Sequence, residues 1–412
     1  MGLAEAYNRV RFGPLAGLGP AAEAAGNLKA ARRQDSRKEV PLPISTFRAP
    51  GRFTFGVGAL AALGDEARRF GNRAVLVTGR KALAEAGTTR RALEVLKEAG
   101  VEATLFDEVE PEPDVATVDR LRRLVREQGA DVLIGLGGGS AIDAAKVAAG
   151  LARRDEPTRA FLDGAEVTRP VLPTIAVPST SGTGSEMTNN GVISDRARQH
   201  KASIRHASLV PAVALVDPEI TVSCSPEVTA ISGVDALVQA IESYVSRHAT
   251  PLTDAVALRA VEELAKALPA VVTQGENIAL RTAAAWGSAM AGLALGNARL
   301  GVVHGMAHPI GVRYGVPHGL VCGVLLPPAL EFNREAIPEK FETLRRILGG
   351  DPVGYAQGLL LACGLPMHLK EFGLDPETFE AIAEESLPSG STKANPRDVT
   401  KDDILAMLNR VT

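Results

Sequence analysis

The stretch DVLIGLGGGSAIDAAK, residues 131–146, decides the class of fold. Its first seven residues form a short apolar run of strand length that passes through glycines straight into an Ala-rich helical pattern. In such a turn the backbone can approach a ligand closely, and the free amides at the helix start point at an anion, which is phosphate-binding geometry. Ser140 stands where a dinucleotide fingerprint would carry a third glycine, so the turn fits that pattern loosely and a purely structural strand-to-helix turn is the alternative.

Outward from this turn, from Phe53 to about Asp217, short β-branched runs alternate with helical stretches, the sequence sign of a parallel sheet flanked by helices. RAVLVTG (73–79) and VEATLFDEV (101–109) are strands, with the helix TTRRALEVLKEAG (88–100) between them. DVATVDRLRRLVREQG (114–129) is a helix whose Val115, Val118, Leu121 and Val125 share one face. PTIAVPST (173–180) and AVALVDP (212–218) add further strands. After Pro226 the pattern changes to long Ala- and Leu-rich helical segments. The chain therefore reads as an extension over 1–45, an α/β domain over 46–219 and a mainly helical domain over 220–412.

Composition limits the functions open to it. With 412 residues, 45% hydrophobic, 23% charged and a formal net charge of −3, the chain suits a globular protein of two domains. No basic block offers a footprint for nucleic acid or an anionic membrane, so small molecules are the expected partners. Cys224, Cys322 and Cys363 are isolated from one another, read as core thiols, and fit a reducing, cytoplasmic setting. No stretch approaches the roughly 18 apolar residues of a membrane span. The first forty residues are Arg-rich, but Glu5, Glu23, Asp35 and Glu39 argue against a transit peptide and for a loosely ordered extension.

Three more stretches carry chemistry. PSTSGTGSEMTNN (178–190) follows a strand and offers the hydroxyls of Ser179, Thr180, Ser181, Thr183 and Ser185 without bulk; it is either a polar surface loop or a second ligand loop. Two such loops at the ends of strands of one sheet favour the ligand reading. In GVVHGMAHPIGVRYGVPHG (301–319), His304 and His308 lie one helical turn apart and His318 follows, three of the chain's seven histidines. That grouping favours a metal or proton-transfer site over satisfied core histidines. In GVDALVQAIESYVS (233–246), Asp235 and Gln239 sit one turn apart on an otherwise apolar helical pattern.

Taken in order and spacing, FGVGAL near residue 55, GLGGGSAIDAAK, PSTSGTGSE, LVDPEIT, SGVDALVQAIESYVS, HGMAHPIG with PHG, and the closing NPRDVTKDDILAML resemble the iron-containing (group III) alcohol dehydrogenase family from about residue 46 to the C-terminus. The resemblance implies a dehydroquinate synthase-like fold, with an α/β Rossmann-like N-terminal domain, an all-α C-terminal domain and a cleft between them for NAD(P) and Fe²⁺ or Zn²⁺. It implies pyrophosphate contacts at Gly138, Gly139 and Ser140, a second cofactor loop at Thr180, Thr183 and Ser185, and a ribose contact from Lys201. It further implies metal ligands at Asp235, His304 and His318 and a proton relay at His308. Hydride would pass between a small alcohol or aldehyde and the nicotinamide while the metal polarises the oxygen. A homodimer is implied as well.

The chain departs from this family where a histidine usually follows the aspartate by one turn, because Gln239 stands there. Gln239 as a weak fourth ligand, a three-residue site with Gln239 nearby, and a site without metal are all open, with the three-residue site favoured. The turn after the first strand holds Gly79, Arg80 and Lys81 instead of the Asp that would bind a ribose 2′-hydroxyl, which leans the reading to NADP or to use of both cofactors. A maleylacetate reductase-like reaction, a hydroxyacid-oxoacid transhydrogenase-like reaction and a non-catalytic cofactor-binding protein are the alternatives. Asn189, Asn297, Arg313 and Tyr314 are candidate substrate liners.

Overall fold

The computed structural model describes residues 45–412 apart from Gln199, so the extension expected over 1–45 lies outside the described residues except for Ser45. Residues Thr46–Thr412 make one compact unit that begins with a parallel sheet and ends in helices.

The sheet is built from β1 (Arg52–Phe55), β2 (Arg73–Gly79), β3 (Glu102–Val109), β4 (Val132–Gly137), β5 (Thr174–Pro178) and, after a separate antiparallel pair β6 (Asn190–Asp195) and β7 (His200–Arg205), β8 (Val213–Val216). Its order is β1-β8-β5-β4-β2-β3, with every neighbouring pair parallel. Strands β4 and β5 are buried along their whole length, which is why they read as unbroken apolar runs.

Helices cover both faces: α1 (Thr88–Glu98) on one, and α2 (Val115–Glu127) and α3 (Gly139–Leu151) on the other. Side chains alternate between the two cores as a pleat requires. Leu76 and Ile134 join Leu96 of α1, whereas Val75, Val77 and Leu133 join Val118 and Leu121 of α2. The strand order reverses between β2 and β4, so a crevice opens at their carboxyl ends, beside Gly79 and Gly137.

Two features differ from the sequence reading. The β6–β7 ladder, in register from Asn190 opposite Arg205 to Asp195 opposite His200, is too polar to stand out locally and owes its existence to the pairing. Strand β1 likewise forms only because β8 offers it an edge.

The helical half runs through α4 (Pro226–Val245), α5 (Pro251–Thr273), α6 (Ile278–Ala298), α7 (Val302–Tyr314) and α8 (His318–Asn333), then α9 (Pro338–Leu348), α10 (Pro352–Ala362), α11 (Phe379–Ser386) and α12 (Lys401–Asn409). Against the expectation of no membrane-length apolar stretch, α6 is long and apolar enough to qualify by length and composition. Its apolarity comes from small Ala and Gly residues, which make no conspicuous run; half of its most apolar window is buried, and it packs on α4 and α5.

Candidate active site

Helix α4 begins cleanly, with Ser225 accepting a hydrogen bond from Val228 N at 3.2 Å and Pro226 in the first turn. Asp235, Gln239 and Glu242 fall at i, i+4 and i+7, hence on one face, and all three are buried. Against that face α7 brings His304 and His308, and α8 brings His318 and Cys322, again one turn apart. The close approach of α8 depends on Gly319: a Cβ there would lie 2.3 Å from Ile231 O and 3.0 Å from Asp235 Cβ.

The metal-type donors converge. Oδ1 of Asp235 is 3.4 Å from His304 Nε2 and 3.9 Å from His318 Nε2, and the Cys322 sulfur is 3.6 Å from His318 Nε2. One ligand atom from each of Asp235, His304, His318 and Cys322 lies within 4.8 Å of all the others. Both Asp235 Oδ1 and His304 Nε2 are buried without a hydrogen-bond partner, although buried polar atoms are normally paired. A carboxylate, two imidazoles and a thiol around such orphaned atoms fit a divalent transition metal.

Glu242 completes the support: its Oε2 faces His304 Nδ1 at 2.7 Å and its Oε1 accepts from Val303 N at 2.8 Å. A carboxylate behind one ring nitrogen leaves the other, Nε2, facing Asp235 and the cluster.

Titration follows burial and neighbours. Burial opposes a charged His304, but the Cys322 thiol, Asp235 and Glu242 outweigh it and hold the imidazole well above the ordinary histidine range. Burial likewise opposes a charged Asp235, yet the adjacent His304 imidazole and the nearby His318 leave it below the usual carboxylate range. Burial pushes His318 down to about 4 and Cys322 up to about 12. His308 is driven well below the ordinary range by burial, then by His318 and Lys201. Its ring stacks on His318 at 5.2 Å and its Nδ1 is buried without a partner.

Gln239 is beside the cluster, but its Nε2 donates to Asp235 Oδ2 at 2.8 Å, so its amide is turned toward the carboxylate. Two members of the site escaped the sequence reading. Cys322, read as a core thiol, sits in the cluster; its spacing of four from His318 was the available signal. Glu242 was legible only as the next polar residue on the Asp235 face.

The other candidates gather at the sheet's carboxyl edge. A Cβ on Gly139 would come within 2.7 Å of Thr183 Oγ1, and one on Gly138 within 3.8 Å of Thr180, so the glycine turn and the hydroxyl loop touch. Gly79 and the exposed Arg80 end β2 across the crevice. Ser140 Oγ accepts from Glu112 N at 3.2 Å, and Lys201 Nζ pairs with Glu112 Oε1 at 2.5 Å. Ser185 faces inward, where its hydroxyl donates to the buried Asp143; that commits to packing a group expected to face cofactor. The candidate liners are engaged as well: Asn297 holds Arg48 through both backbone groups, Asn189 accepts from Arg205, Arg313 pairs with Glu385, and Tyr314 bonds Thr378.

The proteins this chain is similar to are named as oxidoreductases of alcohols and aldehydes. Residues 50–218 match the family model described as iron-containing alcohol dehydrogenase, and residues 229–412 match the C-terminal model of the same family. A probable alcohol dehydrogenase of Salmonella typhimurium is 36% identical over 88% of this chain and 93% of its own. The lactaldehyde reductase of Escherichia coli is 33% identical over 86% and 96%. Among solved structures, a 1,3-propanediol oxidoreductase superimposes with a TM-score of 0.87 at 32% identity, covering 90% of this chain and 100% of that one. A sulfoacetaldehyde reductase from Bifidobacterium kashiwanohense, in complex with NAD⁺, does so at 0.84 and 29%, over 90% and 99%. This chain belongs to the iron-containing alcohol dehydrogenase family and is an enzyme of alcohol and aldehyde redox chemistry.

Proposed function

We propose that the protein interconverts a small alcohol and its aldehyde with NAD(P), hydride passing between substrate carbon and nicotinamide in the crevice between the sheet's carboxyl edge and α4, α7 and α8. The carrying observation is the pair of buried, unpartnered donors Asp235 Oδ1 and His304 Nε2, with His318 beside them. These three residues would hold a divalent metal, Fe²⁺ or Zn²⁺, which supplies Lewis acidity toward the substrate oxygen. Glu242 fixes the His304 ring, and Gln239 holds Asp235.

His308, neutral at pH 7 and with one ring nitrogen unpartnered, passes the proton to or from the substrate oxygen. The turns 138–140 and 180–183 take the pyrophosphate and nicotinamide side, with Lys201 near His308 at the ribose. Arg80 and Lys81, exposed beyond β2, favour a 2′-phosphate and so NADP alongside NAD. The assignments divide as 46–219 for the cofactor and 220–412 for metal and substrate.

The unit in solution is a homodimer, a reading supported by the edge position of β1 and by the exposed Phe53 and Trp286, whose rings meet at 5.6 Å. The setting is cytoplasmic, without nucleic-acid or membrane partners, in keeping with the net charge of −3.

Protein purified without chelator is expected to carry one divalent metal per chain and to reduce short-chain aldehydes. Full turnover of the metal-free protein would overturn the metal-assisted reading. His308→Ala is expected to lower kcat by about 10²- to 10⁴-fold; undiminished activity across the pH range would remove His308 from the relay.

A further inference from the structure

We propose that Cys322 is the fourth protein ligand of this enzyme's metal, the substrate oxygen entering as a fifth, so that a thiolate on α8 replaces the imidazole that Gln239 does not supply on α4. The inference rests on the metal-dependent reading above.

Three observations carry it. The first is geometry. With metal–nitrogen and metal–oxygen bonds of about 2.0–2.1 Å and a metal–sulfur bond of about 2.3 Å, a tetrahedral centre has nitrogen–oxygen edges near 3.3 Å and sulfur–nitrogen edges near 3.6 Å. The His304 to Asp235 edge is 3.4 Å and the Cys322 to His318 edge is 3.6 Å, with the His318 to Asp235 edge somewhat open at 3.9 Å. The sulfur thus already sits at a ligand's distance from His318 Nε2 and within 4.8 Å of the other two donors.

The second is convergence. Asp235 Oδ1 and His304 Nε2, on side chains each 4% exposed, are unpartnered and belong to the same group of mutually close donor atoms as the Cys322 sulfur. Cys322 is itself fully buried, and its spacing of four from His318 keeps both on one face of α8.

The third concerns the competitor. Gln239 turns its amide nitrogen to Asp235 Oδ2 and leaves its Oε1 buried without a partner, but that neutral amide oxygen is the weaker donor beside a sulfur that binds zinc and other borderline-soft ions strongly. On coordination the thiol releases its proton to solvent and the sulfur donates a lone pair; no electron is transferred. The Asp–His–His–Cys set selects Zn²⁺ or Co²⁺ over the harder ions that oxygen-rich sites prefer.

Cobalt is the probe. Protein stripped by chelator and reloaded with Co²⁺ alone is expected to bind one ion per chain and to show an intense near-ultraviolet sulfur-to-cobalt charge-transfer band. Cys322→Ser is expected to lose that band. Cys224 and Cys363 lie outside the cluster and do not contribute. If the variant fails to fold, wild-type zinc protein decides, because X-ray absorption must then show a sulfur at about 2.3 Å. One Co²⁺ per chain without the band overturns Cys322 as ligand and leaves the metal reading standing, whereas no Co²⁺ binding overturns both.

Discussion

Both carboxylate oxygens of Glu242 are taken up by α7, one by Val303 N and one by His304 Nδ1, although Glu242 touches none of the open donors itself. Its role is to set which face of His304 is presented. Glu242→Gln is therefore expected to weaken divalent-metal affinity by about 10- to 100-fold while the chain still folds, as read by metal titration alongside thermal unfolding. Equal affinity in the variant would reduce Glu242 to a packing residue. Gln239→Leu separates holding from ligation: the lost hydrogen bond to Asp235 lowers affinity, and the stoichiometry of one metal per chain remains in metal analysis. Of these residues the sequence singled out Asp235 and the three histidines, because carboxylate and imidazole at helical spacing are rare among apolar residues. A buried Glu or Cys at the same spacing carries no such signal until a neighbouring helix gives it a partner.

Between α3 and the loop after β5 the support is ionic. Lys146, fully buried, donates to Ser185 O at 2.7 Å and Thr188 Oγ1 at 3.0 Å, and its Nζ is 3.4 Å from Asp143. The helix that follows the glycine turn thereby holds the hydroxyl loop in place. Lys146→Met strips the buried Asp143 carboxylate of its cation and is expected to cost about 3–5 kcal/mol in denaturant unfolding. Nearby, burial pushes Glu186 up to about 7, with Lys146 pulling the other way. The folded state keeps that proton up to about pH 7, whereas the unfolded chain releases it near 4.5, so stability falls as pH rises between the two, by roughly 3 kcal/mol in all. Glu186→Gln abolishes this fall: its stability relative to wild type should rise from pH 4.5 to pH 8 in urea titrations, and a pH-independent difference would contradict the argument. Strands β2, β4 and β5 and helices α1 and α2 were legible one by one, since each is a continuous apolar run or a single apolar stripe. The β6–β7 pair was not, because its strands become stable only through each other.

At the scale of the molecule the two halves meet on glycine. A Cβ on Gly184 in the hydroxyl loop would lie 2.4 Å from Gly292 Cα of α6, and one on Gly292 would lie 2.6 Å from Gly184 Cα. Gly184 also has φ +62°, a conformation that side chains with a Cβ rarely adopt. Gly292→Val must push the loop off α6, at a cost of about 1–3 kcal/mol, and is expected to lower kcat along with thermal stability because the hydroxyl loop and the Asp235–His304 cluster move apart. Unchanged kinetics in a destabilised variant would show the contact to be structural alone.

The sequence by itself determined the parallel sheet and the switch to helices after Pro226, and it singled out the glycine turn, the hydroxyl loop, Asp235 and the three histidines as candidates, all of them written in local period and residue chemistry. Only the tertiary structure decided which groups share that cluster. Asp235, His304 and Cys322 lie on three different helices, and the distance between their side chains depends on how closely Gly319 lets α8 approach α4. That packing turned Gln239 toward Asp235, Ser185 toward Asp143 and Cys322 toward the histidines, and no spacing along a single helix contains it.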